Sequence, residues 1–380
     1  MQGSLRERAP GVWEVRVRSG RDPLTGRYQQ VSRTVHGGKR VAEAQLARLA
    51  AEIDNGVHRG TSESVGYLLD RWLEHLEMLG RSPKTIDGYR SIIRARLRPA
   101  LGSVALRRLQ PADLDRFYRA LVIDGLSPLS VRHCHAALSA ALRQAVKWGW
   151  IDRSPAERAT PPTVTRTEVD PPSVEEVSKL LRELERTGND LASMVFVAAT
   201  TGCRRGELCA LRWSDIDLDD AVLVVSHSIA EVGGKLYEKD PKTHRARRLS
   251  LDPSTVAILR RHAVRMRERA ELFGVEMADD AFVWSGLPSC SEPWRPSRVT
   301  DAFRSARKRL GLNRVDFHHL RHFAATTLAG AGVDVRTIAG RLGHADPAIT
   351  LRTYAHFLEA ADRHAAEVMG RLELGAPPAP

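Results

Sequence analysis

The sequence is poor in cysteine and has no long apolar run. Its 380 residues include four cysteines, Cys134, Cys203, Cys209 and Cys290, and none of them forms a CxxC pair or a metal-finger spacing. No apolar stretch is long enough to cross a bilayer, and the first ten residues lack the apolar core of a secretory signal. We therefore expect a cytoplasmic protein with reduced thiols and without a disulfide framework.

Lysine is also scarce, since only 8 of the 58 basic residues are lysine. The formal net charge of +12 is uneven: residues 1–60 carry +5, residues 61–160 carry +6, and the remaining 220 residues carry +1. An excess of positive charge in one part of a chain is typical of a surface that neutralises nucleic-acid phosphates. A weaker alternative is an anionic membrane surface. An arginine-rich coding composition would explain the charge without any binding.

The length exceeds what one hydrophobic core usually serves, and the residue pattern changes twice along the chain. These changes predict three domains: a small β-containing module at 1–60, a helical domain at 64–160, and a mostly helical domain at 170–375. Prolines in a polar segment from Ser154 to Asp170 mark the linker before the last domain. The predicted fold class is mostly α with small antiparallel sheets, or α+β.

In the first module, "VWEVRVR" at 12–18 alternates as a half-exposed strand should. A turn signal at 22–26 and a second strand ending at Val35 complete a hairpin, and a helix follows from Arg40 to Ile53. The apolar residues that we expect on the inner side of this helix are Val41, Ala44, Leu46, Ala47 and Leu49.

The other two domains are read from helical spacing and caps. In the second domain, helices are predicted from Ser64, Ser82, Gln110 and Ser127. In the third, a strand at 221–230 pairs with one at 247–252 in one small antiparallel sheet. A C-terminal helix with an apolar stripe is predicted at 356–372.

Polar side chains that could act on a phosphate recur at bends, tips and shared faces in the last domain. In chain order they are Arg204 after Gly202, Lys242 between two strands, His318 and Arg321 on one helical face, His344 after Gly343, and Tyr354 in a helix capped by Asp346 and Pro347. Each has an ordinary structural explanation. Arginines at helix ends are usually surface residues, and Tyr354 falls on the apolar stripe of Leu351 and Leu358, as a core aromatic would.

Taken together, these residues resemble the active-site set of tyrosine recombinases, the phage integrase family. The resemblance covers residues 64 to about 372. It includes the motifs "TGCRRGEL", "PKT", "HHLRH", "LGH" and "TLRTYAH". It implies a helical, SAM-like core-binding domain followed by the catalytic domain. The first 60 residues are similar to AP2-like modules that bind arm-type DNA sites. One departure is His319, where the family usually has Asp.

The chemistry of phosphodiester cleavage explains why these residue types occur together. Two permanent guanidinium charges, Arg204 and Arg321, can grip the nonbridging oxygens on which negative charge gathers. Tyr354 becomes a nucleophile once its proton is removed, for which His318 is the candidate. Lys242 can protonate the departing 5′ oxygen, and His344 can donate a hydrogen bond to a phosphate oxygen.

The resemblance implies a site-specific DNA recombinase of the integrase or excisionase type, working through a covalent 3′-phosphotyrosyl intermediate without metal, ATP or another cofactor. Implied partners are double-stranded DNA at attachment sites and three further copies of the chain in a tetramer. An excision-directing accessory protein and a DNA-bending protein are further candidates. The protein would lie in the cytoplasm, on the nucleoid when bound to DNA.

Two alternatives stay open from the sequence. One is a catalytically silent DNA-binding regulator of the same fold. The other is a metal-dependent hydrolase built on His318, His319 and His322, although no glutamate stands beside them as in HExxH. The basic residues that we expect to contact DNA are Arg16, Arg18, Arg33, Arg94, Arg96, Arg143, Lys147 and Arg245.

Overall fold

The computed structural model describes residues 3–21, 28–54, 63–165, 170–239 and 246–344, and the isolated positions 366 and 370. Four features predicted from the sequence fall outside these residues: the turn at 22–26, the Lys242 and Arg245 loop, Tyr354 with its cap, and the C-terminal helix. The chain divides into two compact units, Met1–Thr165 and Arg166–Pro380. Within the described ranges, no helix is long and apolar enough to cross a membrane.

The first unit contains a three-stranded sheet and six helices in the part that the structure describes. Their bounds are β1 Gly3–Ala9, β2 Val12–Arg21, β3 Tyr28–His36, α1 Lys39–Asp54, α2 Val65–Met78, α3 Pro83–Ile92, α4 Arg98–Leu101, α5 Pro111–Ile123 and α6 Pro128–Lys147. A π-helical turn, Ile93–Leu97, joins α3 to α4, and 3₁₀ turns lie at Leu106–Arg108 and Pro155–Glu157.

The N-terminal sheet is antiparallel in the order β1-β2-β3, and α1 covers one of its faces. Its core consists of Val15 and Val17 from β2 with Ala42 and Leu49 from α1. The hairpin of β2 and β3 confirms the sequence prediction, but β1 was not predicted. The segment "GSLRERA" has no apolar alternation, because it is an edge strand on which Leu5 alone packs against this core.

The predicted inner side of α1 is partly wrong. Val41 is 49% exposed, and Ala44 and Ala47 are exposed too, whereas Ala42 and Leu49 are buried and Leu46 is half-buried. The buried positions follow i, i+4 and i+7, so the apolar stripe is narrower than the alanine-rich sequence suggests.

The helices of the second predicted segment form as expected. Ser64, Ser82 and Ser127 each accept a hydrogen bond from a backbone N–H in the first turn of α2, α3 and α6, respectively. A separate hydrophobic cluster holds these helices together, with Leu68 and Leu138 fully buried in it. The sequence pattern missed the π-helical turn, which carries Arg94 and Arg96 on its exposed side.

The second unit is mostly helical. Its described elements are α7 Val174–Arg186, α8 Leu191–Thr201, α9 Arg205–Ala210, β4 Ile216–Asp217, β5 Val222–Val225, β6 Ser228–Val232, β7 Lys235–Lys239, β8 Arg247–Ser250, α10 Pro253–Leu272, α11 Pro296–Arg309, α12 His319–Gly330 and α13 Val335–Leu342. A 3₁₀ turn lies at Trp213–Asp215. One large hydrophobic cluster, which includes Trp284 and Phe303, supports the helices around α8.

The strand predicted at 221–230 is two strands in two sheets, which corrects the expectation of a single sheet. The extended run breaks at Ser226 and His227, where Ser226 Oγ donates to Asp215 Oδ1 at 3.1 Å. Before the break, β5 joins the sheet ordered β4-β5-β8; after it, β6 pairs with β7 alone. The last strand described before Lys242, β7, and the first strand described after it, β8, therefore belong to different sheets.

Candidate active site

Arg204 stands in the bend between α8 and α9. Gly202 ends α8 with a φ of 68°, in the left-handed region that glycine adopts without strain. A Cβ at Gly202 would collide with Cδ2 of the buried Leu342 in α13, so that side chain would have to shift. The backbone N–H of Arg204 donates to Glu207 Oε2 at 2.8 Å, which places the arginine at the start of α9. Its side chain is 27% exposed.

Glu207 is a buried carboxylate shared by two arginines. Its side chain is 2% exposed, and its Oε1 accepts from Arg204 Nη1 at 2.8 Å. Arg247, from the start of β8, donates Nη2 to Glu207 Oε2 at 2.7 Å and Nη1 to Oε1 at 3.2 Å. Burial opposes ionisation of Glu207, but the hydrogen-bonded Arg247 and the contact with Arg204 hold the pKa of this carboxyl below its usual value.

The roles of Glu207 and Arg247 were not predicted from the sequence. A signal was nevertheless present in "RRLSLD". Arg247 lies two residues before the buried Leu249, so the alternation of a strand turns this arginine inward.

Arg321 is the most buried cation of the site, with 3% of the residue exposed. It lies in the first turn of α12, and its Nη1 donates to the carbonyl of Gly202 at 2.8 Å. Its Nη2 has no hydrogen-bond partner among the described residues. Burial, followed by the charge of Arg204, lowers the pKa of Arg321 to about 10, so the guanidinium stays charged at neutral pH. A buried charged donor without a partner is costly unless an anion binds it.

His318 and two neighbouring histidines surround the start of α12. The carboxylate of Asp316 accepts from the backbone N–H of His318 at 2.8 Å and of His319 at 3.1 Å. His319 Nδ1 in turn accepts from the N–H of Asp316 at 2.9 Å. The family usually has Asp at position 319. In this chain the His319 imidazole accepts from the backbone of Asp316, whose carboxylate accepts from the backbone of His319, so the two residues cap each other.

The ring of His318 meets the ring of His322 edge-on, with 5.0 Å between the centroids. Burial, followed by the charge of Arg321, lowers the pKa of His318. Burial and the nearby His318 lower the pKa of His322 to about 4. Both rings are consequently neutral near pH 7, which leaves His318 with a lone pair that can receive a proton.

His344 follows the C-terminus of α13. Gly343 ends this helix with a φ of 67°, and the N–H of His344 donates to Ala339 O at 2.9 Å. Burial, followed by the charges of Arg321 and Arg204, lowers the pKa of His344 to about 4. A neutral imidazole can still donate one N–H. Arg204 Nη2 donates to the carbonyl of Gly343 at 3.3 Å, which joins this turn to the arginine.

The structure thus brings Arg204, His318, Arg321 and His344 together around one site, although they are spread over 140 residues. The other two members of the predicted set, Lys242 and Tyr354, lie outside the described residues. In the described ranges, no three His, Cys, Asp or Glu side chains are arranged to hold a metal ion.

The expected DNA-contacting residues fall into separate groups. In the N-terminal sheet, the register pairs Arg16 with Ser32 and Arg18 with Gln30, whereas it pairs Arg33 with the buried Val15. Directly paired residues share a face, so Arg16 and Arg18 lie opposite α1 and Arg33 lies on the same side as α1. The side chain of Arg16 contacts Glu14 through Nη2, which lies 2.9 Å from each carboxylate oxygen.

In the helical part of the first unit, Arg94 and Arg96 are exposed on the π-helical turn. Arg143 and Lys147 are exposed one turn apart on α6. Burial, followed by the charges of Arg132 and Arg143 on the same helix, lowers the pKa of His135. Arg245 lies outside the described residues.

Comparison with known proteins identifies two family matches. Residues 173–360 match the sequence model of the phage integrase family, and residues 64–122 match that of the phage integrase N-terminal SAM-like domain. A tyrosine recombinase XerC-like protein from Caldanaerobacter subterraneus subsp. tengcongensis is 27% identical over 355 residues, which cover 88% of this chain and 90% of the relative. The ICEBs1 integrase of Bacillus subtilis is 24% identical over 93% of this chain and 95% of its own length.

Solved structures share the fold. The Tn1549 transposon integrase in complex with transposon right end DNA matches 80% of this chain and 99% of its own, with a TM-score of 0.68 and 20% identity. A lambda integrase tetramer bound to a Holliday junction matches 92% of this chain and 94% of its own, with a TM-score of 0.57 and 20% identity. The predicted fold class, mostly α with small antiparallel sheets, is confirmed.

Proposed function

Because the chain belongs to the phage integrase family of tyrosine-type site-specific recombinases, we propose that it cleaves and rejoins DNA strands with Tyr354 as the nucleophile. The site would hold one scissile phosphate between Arg204 and Arg321, and would need neither metal nor ATP. Integration and excision of a mobile DNA element are the reactions that this chemistry serves.

One observation carries the proposal: Arg321 is buried, charged, and has a donor without a partner among the described residues. Arg204 lies close enough to lower the pKa of Arg321 by its charge, so two like charges are held together at a cost. A phosphate removes this cost, because its nonbridging oxygens accept from both guanidiniums. The attraction strengthens as negative charge gathers in the transition state.

The steps balance without a further reactant. Tyr354 Oη attacks phosphorus, and its proton passes to the neutral His318. The bond between phosphorus and the 5′ oxygen breaks, and Lys242 protonates that oxygen as it leaves. His344, neutral beside the two arginines, donates its N–H to a phosphate oxygen. The tyrosyl phosphate keeps the energy of the phosphodiester, so a 5′ hydroxyl of another strand can reverse the steps and rejoin the DNA.

For the partners, we extend to this chain what the similar proteins bind. Double-stranded attachment-site DNA is the proposed substrate, and a tetramer on two duplexes is the proposed working assembly. The similar lambda integrase is a tetramer when bound to a Holliday junction. Residues 1–60 would bind arm-type sites, 64–160 the core site, and 170–375 would carry catalysis in the cytoplasm. An excision-directing protein and a DNA-bending protein are the proposed accessory partners.

The proposal is tested with Arg321→Lys and a nicked core-site substrate that traps the covalent adduct. Lysine keeps the charge but cannot donate two parallel hydrogen bonds, so single-turnover adduct formation should fall about 100-fold or more, while binding of the core site changes little. Arg304→Lys, an exposed arginine of α11, is the matched control.

Adduct formation by Arg321→Lys at the control rate would contradict the phosphate-clamp role. If the wild-type protein bound the core site tightly and formed no adduct, the regulator alternative would replace the proposed function.

A further inference from the structure

The turn that ends α13 is held by arginines from two other elements. Arg204 donates to Gly343 O, as described above, and Arg247 Nε donates to Arg341 O at 3.0 Å. The guanidinium of Arg247 also packs against Gly343, where a Cβ would lie 3.0 Å from its Nη1. Carbonyls at a helix C-terminus have no partner within the helix, so these donors satisfy them.

Arg247 contacts this turn and Glu207 at the same time. Its Nη1 and Nη2 donate to the Glu207 carboxylate, and its Nε donates to the carbonyl of Arg341. Its side chain is only 10% exposed. A planar, permanently charged fork is the side chain that can make both contacts at once, whereas a lysine ammonium is a single point.

Arg247 also determines how firmly Glu207 binds Arg204. A buried carboxylate with two cationic partners divides its hydrogen bonds between them. Without Arg247, Arg204 would be the remaining cation on Glu207, and the carboxylate would hold it more closely and compete with a bound phosphate. The loss would also remove the donor to Arg341 O, which precedes His344 by three residues.

We propose that Arg247 is a positioning residue of the active site, which fixes Glu207 and the end of α13 together. Through Glu207 it sets the place of Arg204, and through the turn it sets the place of His344. The inference rests on the proposed function and extends it to a residue that does not touch the phosphate.

The test compares Arg247→Met with Arg248→Met, in the full-length protein. Arg248 is the next residue on β8 and is exposed, so it controls for the loss of one positive charge. Arg247→Met should slow single-turnover adduct formation about 10- to 100-fold with little change in core-site affinity, since a small displacement of catalytic groups costs this much. Arg247→Lys should recover part of the rate, because the charge remains but the fork is lost.

A second readout does not depend on DNA cleavage. NMR titration of the His344 imidazole should give a pKa of about 4 in the wild type. The His344 signal is assigned by its absence in His344→Asn. In Arg247→Met the released turn should bring that pKa up towards the ordinary value of about 6.5. Arg248→Met should leave it unchanged.

The two readouts separate the possible failures. If the wild type forms no adduct but Arg247→Met still shifts the His344 titration, the proposed function fails and the positioning role stands. If Arg247→Met cleaves like Arg248→Met and leaves the titration unchanged, the inference is overturned. Should Arg247→Met not fold, Arg247→Lys decides: a native melting curve with slowed cleavage supports the role, and wild-type cleavage overturns it.

Discussion

Two arginines of the site share one buried carboxylate, and the third has a donor without a partner among the described residues. This arrangement separates two tasks that the same residue type performs. In the proposed site, Arg247 and Glu207 neutralise each other and set geometry, whereas Arg321 keeps a donor for the phosphate. Arg204 takes part in both, because it contacts Glu207 and lies beside Arg321. Residue identity alone does not reveal this division; it follows from burial and contacts.

The histidines give a prediction on pH at this scale. The pKa of His322 and of His344 is lowered to about 4 in the folded chain, against about 6.5 when unfolded. As the pH falls through this interval, the unfolded chain takes up protons that the folded chain does not, so folding stability decreases; above about pH 7 these two groups contribute no pH dependence. Urea unfolding should show a lower midpoint at about pH 5 than at about pH 7.5.

His344→Asn is the control for this pH prediction, since removing one of the two groups should flatten the curve. A midpoint with equal pH dependence in the wild type and in His344→Asn would show that His344 is not held neutral by its surroundings.

At the residue scale, the sequence predicted candidate site residues from their own position in the chain. Arg204, His318, Arg321 and His344 stand at helix breaks or on one helical face, and the structure brings them together. The contacts of Glu207 and Arg247 join residues 40 apart in the chain, and no local pattern encodes such a pairing. The one local signal is the alternation of β8, which places Arg247 on the same side as the buried Leu249.

At the scale of elements, two left-handed glycines end the helices that frame the site. Gly202 ends α8 two residues before Arg204, and Gly343 ends α13 one residue before His344. The first of them is also a packing position, because Leu342 and Ala324 lie where a Cβ would project. Helix termination and helix packing therefore depend on the same residue.

Gly202→Ala should destabilise the protein by about 2–4 kcal/mol, since it adds a collision with Leu342 to the strain of a left-handed alanine. Gly188→Ala is the matched control: Gly188 has a φ of 61° and open space around it, so only the backbone strain of about 1 kcal/mol is expected. The free energies come from urea unfolding. Equal losses in the two variants would contradict close packing at Gly202.

The elements that sequence patterns missed are those that tertiary contacts define. The strand β1 lies at the edge of its sheet and packs one apolar residue, Leu5, against the core. At the break between β5 and β6, Ser226 donates a hydrogen bond to Asp215 in the preceding turn. The starts of the helices with a serine cap and a clear apolar stripe were predicted correctly, because both signals are local.

At the scale of the whole molecule, the N-terminal sheet has a hydrophobic core separate from that of the helices that follow it. A module with its own core can be removed without exposing another core. Deleting residues 1–60 should therefore lower the affinity for arm-type DNA by an order of magnitude or more, because its basic residues no longer contact phosphates, while cleavage of an isolated core site persists. Electrophoretic binding and adduct trapping measure the two effects.

A point-variant test refines this expectation. Gln substitution of both Arg16 and Arg18, which lie opposite α1, should weaken arm-site binding, whereas Arg33→Gln on the α1 side should have less effect. A deletion that abolished core-site cleavage, or an equal loss from both sets of point variants, would count against this division of labour.

The central claim is that Tyr354 forms the covalent link to DNA, and mass spectrometry of a trapped adduct tests it most directly. After digestion with trypsin, the peptide from Thr353 to Arg363 contains Tyr354 as its single tyrosine. The account predicts that this peptide carries a nucleotide through a 3′ phosphate on the tyrosine oxygen, and that Tyr354→Phe yields no adduct. A nucleotide on any other peptide, or an adduct of equal yield with Tyr354→Phe, would contradict it.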